Sequence, residues 1–255
     1  MTEKRVVVVP TPAELAESVA KRFLGKVAMD ESEDRPVHVS LTGGTMGIAV
    51  LAAVAENPLR DLVNWSAVHF WWSDERWVAR GDTDRNELQA RDALLDLLDV
   101  PAANIHEMPA ADEGLTLDEA ADAYAAELAS FADGANAWPT FDVCFLGVGP
   151  DGHIASLFPD RSAITVTDRA AVAVRNSPKP PAERISLTRP VINSSRRVWM
   201  VVAGEEKAGA LGLILAGANY EQVPAAGAKG TSRTIIIVDE AAAGQVPAEL
   251  IDPSF

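Results

Sequence analysis

Six short runs of β-branched, aliphatic and aromatic residues constrain this chain's fold more than any other feature. They lie at residues 5–9, 37–41, 68–72, 141–146, 198–202 and 234–238. Each reads as a nearly continuous apolar strand, without the polar–apolar alternation of a strand that wets one face. That pattern belongs to parallel sheets buried on both sides. Helical stretches separate the runs. Thr11-Pro12-Ala13-Glu14 is a capping box with proline at the first helical position, and it predicts a helix to about Val27. Thr116-Leu117-Asp118-Glu119 repeats the box and predicts a helix to about Phe131. Asn86 with Gln89 opens another to about Leu98, and residues 205–215 continue the alternation. Strand–helix repetition over the whole length predicts an α/β fold, a mostly parallel sheet with helices on both faces.

At 255 residues the chain can form one α/β domain with a large core, and no composition shift marks a boundary. A formal charge of -15 argues against nucleic-acid and anionic-membrane partners, whose affinity comes mostly from lysine and arginine. It does not exclude a small anion held by local basic residues. The single cysteine, Cys144, lies in an apolar run and reads as a small buried hydrophobe. With no intrachain disulfide possible, a reducing cytoplasmic setting is expected. The apolar residues Val6–Val9 are too few for a signal-peptide core. The run at 208–218 is shorter than the roughly 20 residues a bilayer needs. Residues 30–35 and 110–114 read as loops, and Ser177-Pro178-Lys179-Pro180-Pro181 as a stiff extended one.

Three segments following predicted strands could carry chemistry. Leu41-Thr42-Gly43-Gly44-Thr45-Met46-Gly47 opens a helix with small residues that let backbone N–H groups close on an anion. It lacks the Gly-Lys-Ser/Thr of a phosphate-binding P-loop. Ser73-Asp74-Glu75-Arg76 sets two carboxylates beside an arginine whose forked donors suit an anionic oxygen. The third segment, residues 147–153, is a glycine turn that delivers His153. Histidine is the side chain best matched to proton transfer near neutral pH, so the turn reads as a platform for a general base. Gly147, Gly149 and Gly152 also satisfy Gly-x-Gly-x-x-Gly. Only six residues separate Gly152 from Pro159, too few for the helix of a dinucleotide-binding unit. His38 and His69 lie in or beside strand runs and His106 in a connecting segment, and all three read as structural. Lys179 and Arg184 flank the proline segment. Lys207 sits in a first helical turn, where a bound anion relieves its conflict with the helix dipole.

Taken together, these segments resemble the 6-phosphogluconolactonase family. Gly-Pro-Asp-Gly-His-Ile-Ala-Ser-Leu-Phe-Pro at 149–159 is the most specific part; Asp-Glu-Arg and Gly-x-x-Lys-Ala are strong as a set. The resemblance implies a modified Rossmann-like sheet and no metal or organic cofactor. It implies hydrolysis of 6-phosphoglucono-δ-lactone to 6-phosphogluconate, the second step of the oxidative pentose phosphate pathway. The family's base maps onto His153, supported by Asp151, with Arg76 on an anionic oxygen. Its phosphate and sugar contacts map onto Gly43, Gly44, Thr45, Asp74, Arg76, Lys179, Arg184 and Lys207. The implied partner is a small phosphosugar lactone, and the chain is expected to be a monomer or homodimer. One departure stands out: Asp84-Arg85-Asn86 replaces the Asp-Ser-Asn of many members, leaving no serine hydroxyl at Arg85 while retaining Asn86.

Two other readings compete. Glucosamine-6-phosphate deaminase/isomerases share the glycine loop and the histidine turn, but there the turn continues Ile-Ala-Phe-Asn-Glu-Pro. Here Phe158 stands where that glutamate should be, and an apolar ring cannot transfer a proton. A non-catalytic sugar-phosphate sensor is the second rival; the chain's acidity opposes the DNA contact such regulators make.

Overall fold

The computed structural model describes residues 4–31, 35–134, 136–244 and 246–251. Six parallel strands form the central sheet: β1 (Lys4–Val9), β2 (Val37–Leu41), β3 (Val68–Trp72), β5 (Val143–Gly147), β8 (Arg197–Val202) and β9 (Arg233–Asp239). They correspond to the six apolar runs. Their order is β1-β9-β8-β5-β2-β3, and every neighbouring pair is parallel. Consecutive residues of β8 and β9 are buried, as two covered faces require.

The helices explain that cover. α1 (Pro12–Glu31) starts at the Thr11 box, where the Glu14 N–H donates to Thr11 Oγ1 at 3.2 Å. It packs on α2 (Gly44–Glu56) and on β9. α1 runs past the predicted end into the segment expected to be a loop, whose residues 32–34 lie outside the described residues. α4 (Leu117–Ser130) carries the complete Thr116–Glu119 box. α3 (Asn86–Ala93) ends before the predicted Leu98, giving way to a short turn of 3-10 helix at Leu95–Leu97. α5 (Arg189–Ser194) precedes β8. The segment predicted as one helix at 205–215 is a 3-10 turn, Glu205–Lys207, leading into α6 (Ala208–Leu215); α7 (Glu240–Ala243) follows β9.

A second sheet escaped the sequence reading. β4 (Asp74–Arg76), β6 (Ala171–Val174) and β7 (Arg184–Leu187) form a small antiparallel sheet in the order β4-β7-β6. Its strands have three or four residues, too short to show a period, and β4 is wholly polar. Pairing sets Arg76 opposite Arg184 and Asp74 opposite Ser186.

The strand order locates the functional end. From β2 the chain moves outward to β3; from β5 it moves the other way, to β8. β2 and β5 are neighbours, so a crevice opens between loops that diverge at their carboxyl ends, where open α/β sheets hold ligands. No helix among the described residues is long and apolar enough to cross a membrane.

Candidate active site

A cavity of about 340 Å³ occupies that crevice. One wall is the loop after β2: Gly43, Gly44 and Thr45, at the start of α2, all line it. Gly43 caps α2 with φ of -82°, so its backbone does not demand glycine. A Cβ there would collide with the side-chain amide of Asn86, and close approach is what fixes the residue.

The opposite wall is the turn after β5. The Gly149 N–H donates to the His153 carbonyl at 2.9 Å, closing the turn on itself. A Cβ on Gly149 would strike the His153 ring and the Asp151 carboxylate, so glycine here makes room for the imidazole. His153 Nδ1 lies 2.5 Å from Asp151 Oδ1, and the ring is 15% exposed on the cavity wall. Burial raises the Asp151 pKa, but the hydrogen bond and charge of His153 outweigh it and hold the carboxyl down at about 2. An ionised Asp151 accepts the Nδ1 proton, which leaves the lone pair on Nε2. Asp151 itself stands behind the ring and does not line the cavity. Phe158 is buried against the imidazole, ring centroids 4.6 Å apart, and the Arg184 guanidinium lies 5.9 Å from its ring centroid.

β4 sorts its residues by the two-residue period of a strand. Asp74 and Arg76 reach the cavity; Glu75, the other carboxylate of that segment, does not. Instead Glu75, 1% exposed, accepts the backbone N–H groups of Arg76, Asn86 and Glu87. It thereby caps α3 from another element, the role predicted for Asn86. Burial pushes Glu75 up to about 7, against the pull of Arg85 and of those three N–H groups. Arg85, where a serine was expected, is fully buried. Its Nη2 is 3.8 Å from Glu75, its Nε is 3.2 Å from Glu87, and it donates to the Met108 carbonyl at 2.7 Å. Asp74 accepts a hydrogen bond from the buried Ser156 hydroxyl at 2.7 Å.

The cations gather on the remaining side. Arg76, Lys179, Arg184 and Lys207 all line the cavity of a protein whose net charge is -15. Burial and the neighbouring Lys179 lower the Lys207 pKa, against the pull of Glu206 and Asp151. Two ammonium groups crowded together favour a bound anion between them. Arg76 donates to the Asp84 carbonyl at 2.7 Å and keeps a buried Nε with no partner among the described residues. Arg184 is differently employed. It donates to the carbonyls of Lys179, Pro180 and Pro181 at 3.0–3.3 Å, so it anchors the loop that carries Lys179.

Thus nine of the ten sequence-predicted residues line one cavity, and the tenth, Asp151, is hydrogen-bonded to His153. Asn86 also lines it, although in sequence it shows only as a helix opener and a residue retained from the family motif. His38, His69 and His106 lie elsewhere, in an aromatic cluster with Trp71 and Phe131. Among the described residues no group of histidine, cysteine and carboxylate side chains could hold a metal ion.

Residues 10–237 match the family described as glucosamine-6-phosphate isomerases/6-phosphogluconolactonase. A 6-phosphogluconolactonase of Streptomyces coelicolor is 45% identical over 244 residues, 94% of each chain. One of Mycobacterium tuberculosis is 43% identical over 91% of this chain and 94% of its own. The solved structure of 6-phosphogluconolactonase from Trypanosoma brucei superposes with a TM-score of 0.84 at 27% identity, covering 97% of this chain and all of that one. A monomeric glucosamine-6-phosphate deaminase shares the fold, with a TM-score of 0.76 at 17% identity.

Proposed function

Because the chain belongs to the family of glucosamine-6-phosphate isomerases and 6-phosphogluconolactonases, we propose that it hydrolyses 6-phosphoglucono-1,5-lactone by general-base activation of water at His153. Relatives 43–47% identical carry the lactonase name, and the chain is accordingly a lactone hydrolase of the pentose phosphate pathway. The observation that carries the mechanism is the Asp151-held imidazole on the wall of a cavity lined by cations.

Lys179 and Lys207 bind the phosphate, and Gly43, Gly44, Thr45 and Asp74 bind the sugar. That anchorage orients the lactone ring so that its C1 carbonyl faces the base. His153 Nε2 takes a proton from water as the oxygen attacks C1. The oxyanion that forms draws on nearby donors, Arg76 and the N–H groups of the α2 amino terminus among them. Collapse of the tetrahedral intermediate breaks the bond from C1 to the ring oxygen, and the imidazolium returns its proton to that oxygen. Asp151 stabilises the imidazolium between these two transfers. The product is the open-chain acid. Phe158 offers no proton for sugar ring opening, which favours the lactonase over the isomerase. We further propose a cytoplasmic monomer or homodimer acting on a free phosphosugar lactone, without nucleic acid or membrane.

The test follows acid release from freshly generated 6-phosphogluconolactone above its spontaneous hydrolysis. His153→Ala should lower kcat about 10²–10⁴-fold without changing the melting temperature. An unchanged kcat removes His153 from the mechanism, and ammonia release from glucosamine 6-phosphate at the lactonase rate overturns the reaction itself.

A further inference from the structure

We propose that Ser156 is a positioning residue for the reaction: by holding one oxygen of the Asp74 carboxylate, its hydroxyl keeps the other turned into the cavity as the acceptor for a ring hydroxyl of the lactone. The inference deepens the lactonase reading and rests on it.

Asp74 lines the cavity, and its side chain is 8% exposed. Its two oxygens are unlike. Oδ2 accepts the Ser156 hydroxyl at 2.7 Å, the short distance of a hydrogen bond to a charged oxygen. Oδ1 accepts no hydrogen bond among the described residues and is not sealed from solvent. Ser156 is fully buried, and its N–H donates to Ser186 Oγ at 3.2 Å, while the Ser186 hydroxyl donates to the Leu187 carbonyl at 3.0 Å. Ser186 is the residue paired with Asp74 across β4 and β7, so Ser156 sits against the strand pair that carries the carboxylate. The Leu157 N–H donates to the Ile154 carbonyl at 2.9 Å, closing a tight turn in which Ala155 takes a φ of 48°. Alanine seldom adopts that left-handed conformation, and such strain collects at functional sites.

The tether matters because of what lies beside it. Arg184 Nη1 is 3.8 Å from Asp74 Oδ2, while Nε and Nη2 of the same guanidinium are occupied by carbonyls of the Lys179 loop. A carboxylate turns easily about its last bond, and a guanidinium offers it a forked partner. Released from Ser156, Asp74 would turn toward Arg184 and withdraw Oδ1 from the cavity. The cations of the cavity only donate, so they suit the phosphate and carbonyl oxygens, which only accept. Ring hydroxyls are the substrate groups that can donate, and an ionised carboxylate can only accept. A hydroxyl that meets Oδ1 finds an acceptor already aimed, without the cost of ordering it on binding.

The experiment compares the parent lactone with its 2-, 3- and 4-deoxy analogues, each generated in place by oxidising the corresponding deoxy sugar phosphate at C1. The reading is the ratio of kcat/KM between analogue and parent, which is independent of how much enzyme is correctly folded. The unmodified enzyme should discriminate against at least one analogue by about ten- to a hundredfold. Ser156→Ala should relax that discrimination about fivefold or more for one analogue and leave the other two ratios within about twofold. Ser156→Cys, close in size but a weaker donor, should relax the same ratio by a smaller factor, about twofold or more. With Asp74→Ala already in place, adding Ser156→Ala should move no ratio by more than about twofold, because the serine acts through the carboxylate. Discrimination unchanged in Ser156→Ala overturns the proposal, as does an equal loss against all three analogues or an unmodified enzyme that treats all four lactones alike. If Ser156→Ala or Asp74→Ala yields no active enzyme, the ratios read in Ser156→Cys decide. An unmodified enzyme that turns over no lactone at all refutes the lactonase reading instead, so the two failures are distinct.

Discussion

Replacing Arg85 by methionine tests the buried frame that carries one wall of the cavity. The guanidinium is unexposed and faces Glu75, which is 1% exposed and already pushed up to about 7. Methionine refills much of the volume but leaves the Met108 carbonyl without its donor and Glu75 without its countercharge. Glu87 is less affected, since Arg91 Nε still lies 2.8 Å from it. Breaking a buried pair costs about 3–5 kcal/mol when the remaining charge has no escape. Here it has one: near pH 7 Glu75 can take up a proton at little cost. The lost hydrogen bonds then set the loss at about 2–3 kcal/mol, or about 4–12 °C in melting temperature for a chain of this size.

The sign of the pH dependence follows. Loss of Arg85 raises the Glu75 pKa further, so above pH 7 the native state of the variant holds a proton that the parent has released. Each pH unit above 7 then adds up to about 1.4 kcal/mol to the difference between variant and parent. Urea unfolding of both proteins at pH 7.0, 7.5, 8.0 and 8.5 measures it. A melting temperature within 2 °C of the parent, or a difference that stays flat with pH, refutes the reasoning.

Asp151→Asn keeps the shape beside His153 but removes the charge that stabilises the imidazolium. Because that carboxylate is more than a third exposed, the expected fall in kcat is about tenfold, far short of the loss at a buried triad; steady-state kinetics showing the loss in KM alone contradicts the role. Lys207→Ala should raise KM for the phosphorylated lactone about tenfold and leave an unphosphorylated lactone unchanged, and equal effects on both contradict phosphate binding. The histidine cluster predicts acid sensitivity. Burial, with His69 beside it, lowers the His38 pKa to about 4, and Trp71 Nε1 donates to its Nδ1 at 3.1 Å, a bond that only the neutral ring accepts. The unfolded chain therefore binds more protons there, so this contribution is complete above about pH 6.5 and is lost as pH falls toward 4. Between pH 7 and 5 it amounts to about 2 kcal/mol. His38→Gln, which cannot be charged, should lose correspondingly less stability over that range by urea unfolding; equal losses contradict the assignment.

Much was legible in one dimension because the responsible forces are local or periodic. A strand buried on both faces is largely apolar, so 198–202 and 234–238 announced themselves, as did helices opened by Thr11 and Thr116. The turn that presents His153 was readable because three glycines and a histidine lie within seven consecutive residues. What stayed hidden depends on partners far along the chain. The β4 residues Asp74 and Arg76 form a strand only because β7, more than a hundred positions later, pairs with them. That pairing sends Glu75 to the core while its neighbours face the cavity. Nothing near Arg85 in sequence shows that its charge would be buried between Glu75 and Glu87, or that Gly43 is small because Asn86 lies against it. Composition and periodicity report what each residue needs from its surroundings; only tertiary packing decides which distant residue supplies it.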